Sequence, residues 1–370
     1  MPLHTPLCEL LGIDVPIALA GMGGASHPAL AAAVSNAGGL GILGAASCGP
    51  DELRKWIAET RNLTDRPFGV DTLLPASVRR QPASAEGPSP ADQVPELLEF
   101  ARAFLEQEGL PSPVSGNAPR TRTRRELFSK NFFEEQMECV IEARVPVYAS
   151  GLGDPGPWID RLHDVGTVVM AVVGVVRHVS KVKASGVDVI VAQGHDAGGH
   201  NSPIGTLSLV PQVVDAAGET PVLAAGGIGD GRGVAAAMML GAAGAWVGTA
   251  FLGTLEANLF DYQKRALVDG NEESTVISRS VTGKPARLVR NKWAQAWVDA
   301  GKEPLPMPFQ SMISGPVMQA AIQAERADIY AGFAGQGMGM IHEIRPAAAV
   351  LEDLVKGAET ALAGARERLG

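Results

Sequence analysis

The 370-residue sequence has few cysteines, few aromatic residues and no general excess of positive charge. Its three cysteines, Cys8, Cys48 and Cys139, are widely spaced and odd in number, so neither a disulfide framework nor a metal knuckle is indicated. The formal net charge of -9 argues against a nucleic-acid partner, because binding of phosphates requires concentrated basic residues. The local exception is a cluster of arginines from Arg120 to Arg125.

Long hydrophobic runs are also missing. The apolar run from Thr167 to Val176 is too short and too rich in valine to cross a bilayer as a helix. The segment Met1 to Leu10 has no basic patch followed by an apolar core, so it does not read as a signal peptide. We therefore expect a protein of the reducing cytoplasm that does not bind a membrane. Nothing in the sequence indicates its oligomeric state.

What the sequence does contain is a repeated unit, in which a short β-branched run is followed by a turn and an alanine-rich helical stretch. This repeat is typical of βα units around a parallel sheet. Eight strands are predicted, at residues 15–20, 39–43, 68–73, 145–149, 168–173, 187–192, 222–225 and 245–248. Eight strands with intervening helices favour a closed α/β barrel, the (β/α)8 or TIM barrel, over an open sheet.

Two regions interrupt this repeat. Residues 75–130 form a long insertion after the third strand, on the side where barrel enzymes build active-site loops, so a lid or substrate-binding insertion is predicted. Surface disorder is an equal alternative for this segment. Residues 251–370 predict a mostly helical extension that packs on the barrel of residues 1–250, with helices at 261–268, 292–300 and 315–331.

Glycine-rich turns follow the last two predicted strands. The segment PVLAAGGIGDGRG places Gly226 and Gly227 directly after a buried strand, where their N–H groups could face an anion. Such a turn alone could equally be structural, because tight βα turns require glycine. The next strand, however, ends in Gly248 and Thr249. Two consecutive turns after strands seven and eight match the usual phosphate site of this barrel, which predicts a phosphate-bearing ligand.

His200 is the predicted catalytic residue. The segment VAQGHDAGGH lets the sixth strand deliver Gln193 to the barrel mouth, and a glycine-rich turn then brings His200 to the same end. A rival interpretation is that His195, Asp196 and His200 form a two-histidine, one-carboxylate metal site. The spacing of these three residues is not helical, and no supporting pattern is visible, so no metal is predicted.

Taken together, these motifs resemble the nitronate monooxygenase (2-nitropropane dioxygenase) family of FMN-dependent barrels, which also contains flavin-dependent enoyl-thioester and quinone reductases. The resemblance spans most of the chain. It is carried by VSNAGGLGILGA, PFGVD, GVDVIVAQGHDAGGH, PVLAAGGIGDGRGVAAAMMLGAAGAWVGT and AGQGMGMI. The order and spacing of the AGGH and AAGGI blocks are more specific than any single glycine motif.

The resemblance implies a role for each matching residue. His200 corresponds to the active-site histidine of the family. The implied cofactor-binding residues are Met22 and Gly23 beside the flavin ring, Gln193 at the ring or ribityl chain, Gly226, Gly227, Gly248 and Thr249 at the phosphate, together with Asp71 and Gly199. Asp71 departs from the family, which commonly carries asparagine there; a carboxylate would disfavour an anionic reduced ring.

The resemblance leaves two reactions open. In the first, a nitronate or nitroalkane is oxidised by FMN, which O2 or another electron acceptor then reoxidises. In the second, NADH or NADPH reduces FMN, and the flavin reduces an enone, a coenzyme A thioester or a quinone. The arginines near residue 120 would suit phosphates of such partners, or they form an ordinary solvated charge run. A third alternative is a flavin-binding sensor without turnover, which the presence of His200 disfavours.

Overall fold

Eight parallel strands form the centre of the molecule. In a computed structural model, which describes residues 3–74, 90–111 and 130–369, these strands follow the order β1-β9-β8-β6-β5-β4-β3-β2. The strands are β1 (Ile17–Leu19), β2 (Gly41–Gly44), β3 (Phe68–Leu74), β4 (Val147–Gly153), β5 (Val168–Val173), β6 (Val189–Gln193), β8 (Val222–Ala225) and β9 (Gly244–Val247). All eight coincide with predicted strands, with bounds shifted by a few residues.

The two edge strands of this sheet meet and close it. Leu40, just before β2, accepts a hydrogen bond from the Leu19 N–H at 2.8 Å and donates its own N–H to Ile17 O at 3.0 Å. Ala18 and Leu40 form a parallel bridge. The predicted (β/α)8 barrel is therefore confirmed, and the carboxyl ends of all eight strands open at one mouth.

Apolar side chains cover both faces of these strands, as expected for a parallel sheet buried on two sides. Inside the barrel lie residues such as Ile42, Met170 and Trp246, and the outer core packs the strands against the surrounding helices. The N-terminal helix closes the end opposite the mouth, because Leu7 and Leu11 belong to the interior cluster. The barrel is thus a packed core.

Helices alternate with the strands around the barrel and continue into the extension. Those described are α1 (Pro6–Leu11), α2 (Pro28–Asn36), α3 (Pro50–Leu63), α4 (Pro90–Gln107), α5 (Lys130–Glu142), α6 (Ile159–Asp164), α7 (Val179–Ala184), α8 (Thr206–Ala217), α9 (Gly231–Met239), α10 (Thr249–Leu252), α11 (Asp261–Val268), α12 (Lys292–Asp299), α13 (Gln310–Gln323) and α14 (Ala347–Leu369). Proline in the first turn begins α2 and α3, where its missing N–H costs nothing. Among the described helices, none is long and apolar enough to cross a membrane.

The extension is mostly helical, as predicted, but it also contains a β-hairpin that the sequence did not reveal. Strands β10 (Thr275–Ser278) and β11 (Ala286–Val289) pair with each other, and β11 also pairs with β7 (Gly199–His200) from the loop after β6. The helix predicted at 315–331 was misplaced: α13 covers Gln310–Gln323, and the chain turns at Glu325, whose φ is 51°.

A second hydrophobic core joins the insertion to the extension. Helix α4 contributes Leu97 and Phe104, which pack with Trp293 and Trp297 of α12 and with residues of α13. The Phe104 and Trp293 rings lie 5.0 Å apart in an edge-to-face arrangement. The final helix, α14, returns to the barrel and packs through Leu351 and Leu354 into the outer core. Whether the insertion acts as a lid remains a prediction, and the arginines near residue 120 lie outside the described residues.

Candidate active site

The ten residues predicted for the site meet at the barrel mouth. They line one cavity of about 480 Å³, which falls in the size range of ligand sites. The ten are Met22, Gly23, Asp71, Gln193, Gly199, His200, Gly226, Gly227, Gly248 and Thr249. They come from five separate βα loops or strand ends, so the fold assembles the cavity from distant parts of the chain. Their individual roles remain predictions.

The turn after β8 presents free backbone donors to the cavity. Gly226 and Gly227 have φ values of 104° and 73°, in the region that favours glycine. A Cβ on Gly226 would lie 2.8 Å from Thr206 Oγ1, so the turn also has no room for a side chain. The N–H groups of Gly226, Gly227 and Ile228 find no acceptor among the described residues. Three such donors in a turn that lines the cavity are suited to an anion.

The neighbouring turn after β9 extends this surface. The N–H groups of Gly248 and Thr249 also have no acceptor within the described ranges. Thr249 Oγ1 accepts a hydrogen bond from the Gly335 N–H at 2.9 Å, which leaves its hydroxyl proton available to a ligand. The first turns of α9, by contrast, are already capped, because Asp230 Oδ1 accepts from the N–H groups of Arg232 and Gly233. The free donors therefore belong to the two turns and not to the α9 terminus.

The loop after β1 lies next to these turns. Met22 O accepts hydrogen bonds from the N–H groups of Ala25 and Ser26, which fixes the loop as a tight turn. A Cβ on Gly44 would lie 2.3 Å from Met22 O, so β2 allows this close approach only because it carries glycine there. Met22 and Gly23 thereby stand at the cavity wall, where the family resemblance expects the flavin ring.

Asp71 is a buried carboxyl group that faces the cavity. It is 8% exposed, and its Oδ1 accepts a hydrogen bond from the Gly151 N–H at 2.9 Å. A Cβ on Gly21 would lie 2.2 Å from Asp71 Cβ, so the residue fills the space between β1 and β4. Burial raises the pKa of Asp71 well above its usual value, against a smaller lowering by the Gly151 N–H. Burial thus opposes the charged carboxylate that the sequence led us to expect at this position.

Two contacts hold the loop that carries His200. Gln193 donates its side-chain amide to His200 O at 2.6 Å, so its own amide oxygen remains free for a ligand. The pairing of β7 with β11 places Ala286 opposite His200 and Arg287 opposite Gly199. The buried Arg287 guanidinium donates to His195 O at 3.1 and 3.3 Å. The extension therefore supplies a strand and a cation that position the predicted catalytic loop.

The imidazole of His200 is enclosed by residues that the sequence did not point to. His200 Nε2 lies 2.9 Å from Thr282 Oγ1, in the segment between β10 and β11. Burial, together with the positive charge of Lys284, lowers the pKa of His200 to about 4. Burial also lowers the pKa of Lys284, which has no ion-pair partner in the described part of the chain. His200 is accordingly a neutral imidazole near pH 7, with a cationic group close by.

The alternative metal site is not assembled. His195 Nδ1 lies 2.9 Å from Ser202 O, and Asp196 Oδ2 accepts from the Thr206 N–H at 3.0 Å. His200 contacts Thr282, as described above. The three side chains thus have different partners, and no cluster of three or more His, Cys, Asp or Glu residues suited to a metal occurs among the described residues.

Comparison with known proteins identifies the family of this barrel. The sequence model described as nitronate monooxygenase matches residues 4–357. The chain belongs to the nitronate monooxygenase family. Within it, the chain is 38% identical to the protein named "Putative monooxygenase Rv1533" of Mycobacterium tuberculosis, over 96% of both chains. Membership in this family makes the protein an enzyme, an oxidoreductase of a flavin-dependent group.

Two solved structures resemble this member of the nitronate monooxygenase family over nearly its whole length. The nitroalkane oxidase from Streptomyces ansochromogenes has a TM-score of 0.80 and 32% identity, covering 98% of this chain and 99% of its own. FabK from Thermotoga maritima has a TM-score of 0.77 and 31% identity, covering 99% of both chains. The family and fold are therefore established.

Proposed function

We propose that this chain binds FMN at the barrel mouth and oxidises a small nitronate or nitroalkane with O2. The cofactor part rests on the fit between a flavin phosphate and the free donors of two turns. Gly226, Gly227 and Ile228 offer N–H groups from one side, and Gly248 and Thr249 from the other. A doubly charged phosphate would satisfy donors that have no acceptor among the described residues.

The flavin, when bound, supplies the electron acceptor and the route of electrons to O2. The protein supplies the base that accepts the substrate proton and a positive charge that favours the anionic product. The neutral imidazole of His200 can take the α-proton of a nitroalkane, and the positive charge of Lys284, which acts on the same imidazole, would favour the negative charge left on the nitro group. That new negative charge in turn stabilises the imidazolium, because opposite charges favour the charged form. The observation that carries this proposal is the half-buried His200, which lines the cavity, has its Nε2 2.9 Å from Thr282 Oγ1 and has its pKa lowered to about 4.

The second candidate is a reductase that takes electrons from NADH or NADPH and passes them to an enone, enoyl thioester or quinone. The likeness to FabK favours it, since the family also includes flavin-dependent enoyl-thioester reductases. In that reaction His200 would donate a proton or a hydrogen bond to a carbonyl group. A half-buried imidazole whose pKa is lowered to about 4 is a weaker fit to a proton donor than to a proton acceptor.

Anaerobic mixing in a stopped-flow instrument separates the two candidates. The purified protein, reconstituted with FMN, is mixed with propyl nitronate, 1-nitropropane, NADH or NADPH while the visible absorbance of the flavin is followed. We expect both nitro compounds to bleach the flavin rapidly. Bleaching by a nicotinamide alone would transfer the proposal to the reductase. A protein that remains colourless after reconstitution would contradict both.

Lys284 provides a more specific test of charge recognition. Replacing it with glutamine should raise the pKa of His200, because the cation that lowers it is removed. It should also weaken the apparent affinity for propyl nitronate by about 10-fold, the effect of losing one partly buried charge contact. The matched control, Lys284→Arg, keeps the charge and should bind nitronate within about 3-fold of the parent. Equal KM values for all three proteins would remove Lys284 from the proposal.

A further inference from the structure

The segment that joins β10 to β11 reaches across from the extension to His200. Hydrogen bonds from helices of the second core fix the backbone of this segment. Ser280 O accepts hydrogen bonds from Trp293 Nε1 at 3.1 Å and from Gln310 Nε2 at 2.7 Å, and the Ser314 hydroxyl donates to Val281 O at 2.7 Å. These contacts flank Thr282 on its N-terminal side, so Thr282 is presented to His200 by a fixed backbone.

Gly283 shows how closely this segment is packed on the other side of Thr282. Its φ is 85°, and a Cβ there would lie 2.4 Å from Leu305 O. Only glycine fits this position without displacing the chain around Leu305. The backbone is therefore fixed on both sides of Thr282. The Ser280 carbonyl, which accepts two hydrogen bonds, precedes it, and the tightly packed Gly283 follows it. The position of its hydroxyl oxygen is a property of the extension and not of the barrel.

The Thr282 hydroxyl has three neighbours that compete for one proton and two lone pairs. His200 Nε2 lies at 2.9 Å, the Lys284 N–H points to Oγ1 at 3.3 Å, and Lys284 O lies at 3.3 Å. The Lys284 amide can only donate and the Lys284 carbonyl can only accept. All three contacts are made together only if Thr282 donates to Lys284 O and accepts from His200 Nε2–H. That arrangement places the imidazole proton on Nε2.

The other ring nitrogen then carries a lone pair. Nδ1 of His200 has no hydrogen-bond partner within the described ranges, and the ring lines the cavity. Because the Gln193 amide and the β11 pairing fix the backbone of His200, and Thr282 fixes its far ring edge, the ring has little freedom to turn. A hydrogen-bond partner at one ring nitrogen of a histidine determines which of the two nitrogens carries the proton and which is free to react.

We propose that Thr282 is a positioning residue that holds His200 in its Nε2–H form and so makes Nδ1 the atom that receives the substrate proton. In the reaction of a nitroalkane, the α C–H bond breaks, an N–H bond forms at Nδ1, and the electron pair remains on the substrate as the nitronate. The role in turnover rests on the proposed function, but the state of the ring does not. An Nδ1 lone pair can accept a proton and cannot donate one, which distinguishes oxidation from the reductase alternative.

The test is nuclear magnetic resonance of the FMN-loaded protein labelled with 15N histidine. The sequence has seven histidines, and the His200 signals are assigned by their loss in His200→Asn. At pH 7 we expect Nε2 to be protonated and Nδ1 to show the shift of an unprotonated nitrogen. The opposite pattern in the unmodified protein would overturn the proposal, whatever its substrate proves to be.

Two variants complete the experiment. Thr282→Val removes the hydroxyl and should produce a mixture of the two ring forms, with nitroalkane turnover reduced by roughly 10-fold or more, the effect of losing one hydrogen bond at the reacting group. Thr282→Ser should restore both readouts. The loss of nitroalkane turnover in Thr282→Val should exceed any loss in the turnover of preformed nitronate, which needs no proton transfer. A ring form that stays unchanged in Thr282→Val would overturn the inference, while the loss of nitronate oxidation in the parent protein would overturn only the proposed function.

Discussion

The barrel and the β10–β11 hairpin contribute to the same cavity in different ways. The barrel supplies the turns at Gly226 and Gly248, whose donors face the mouth from positions set by the strands themselves. The hairpin supplies Thr282 and Lys284, which surround His200 from outside the barrel. In the proposed function, this difference makes cofactor binding a property of the barrel turns and makes the state of the His200 imidazole a property of the extension.

The largest expected effect comes from removing the imidazole at the boundary between the two regions. His200→Asn retains polarity but cannot accept a proton from carbon, so turnover of 1-nitropropane should fall by about 10²- to 10⁴-fold, the usual contribution of a general base. FMN content, measured by absorbance after reconstitution, should be unchanged. Turnover of propyl nitronate should fall much less. Equal losses with both substrates would show that His200 serves a purpose other than proton transfer.

A smaller effect is expected from the barrel side. Gly226→Ala places a side chain where φ is 104° and where its Cβ would lie 2.8 Å from Thr206 Oγ1. Strain of about 1–3 kcal/mol should weaken FMN binding by roughly 5- to 150-fold, as measured by flavin fluorescence titration. Gly205→Ala is the matched control, because Gly205 has a φ of -59° and open space around it. If both variants bound FMN equally well, the Gly226 turn would not hold the cofactor.

The smallest effect is expected at Asp71. This residue belongs to the barrel, but burial shifts its pKa, as it does that of Lys284 near the hairpin. Its folded-state pKa is raised above the usual value of 3.8, so the native protein binds more protons than the unfolded chain between these two pKa values. Stability should therefore fall as pH rises from about 4 through the folded pKa and then level off.

Asp71→Asn keeps the shape of the side chain but has no ionisable group, so it removes this pH-dependent loss of stability. Thermal melts at several pH values should show the variant gaining stability over the parent as pH rises, with FMN binding retained within about 3-fold. Asp71→Ala is the control that removes the side chain altogether and should leave a destabilising cavity at every pH. A parent and an Asp71→Asn protein with parallel pH profiles would show that Asp71 is charged in the folded state.

The sequence predicted the barrel strands and the loop residues that line the cavity, because each of these features is local. The β-branched runs gave all eight strands, and the glycines at 226, 227 and 248 marked turns whose backbone requires them. His200 was likewise predicted from the glycine-rich loop that carries it. In each case the signal lies within a few residues of the feature it predicts.

The hairpin half was missed for a physical reason. Thr282 is 82 residues from His200, and no motif around it marks a polar side chain that will meet an imidazole. The strand pairing between β7 and β11 involves only two residues of the catalytic loop, which is too short for any alternation to be visible. The raised pKa of Asp71 was missed as well, because its burial between Gly21 and Gly151 is a property of three assembled strands.

The central claim is that the two glycine turns hold the phosphate of a flavin. It is tested most directly by titrating the apoprotein with FMN and with riboflavin, which differ only in that phosphate. Charge-assisted hydrogen bonds contribute about 1.5–3 kcal/mol each, so FMN should bind at least ~100-fold more tightly than riboflavin. Equal affinities for the two flavins, or no binding of either, would contradict the account.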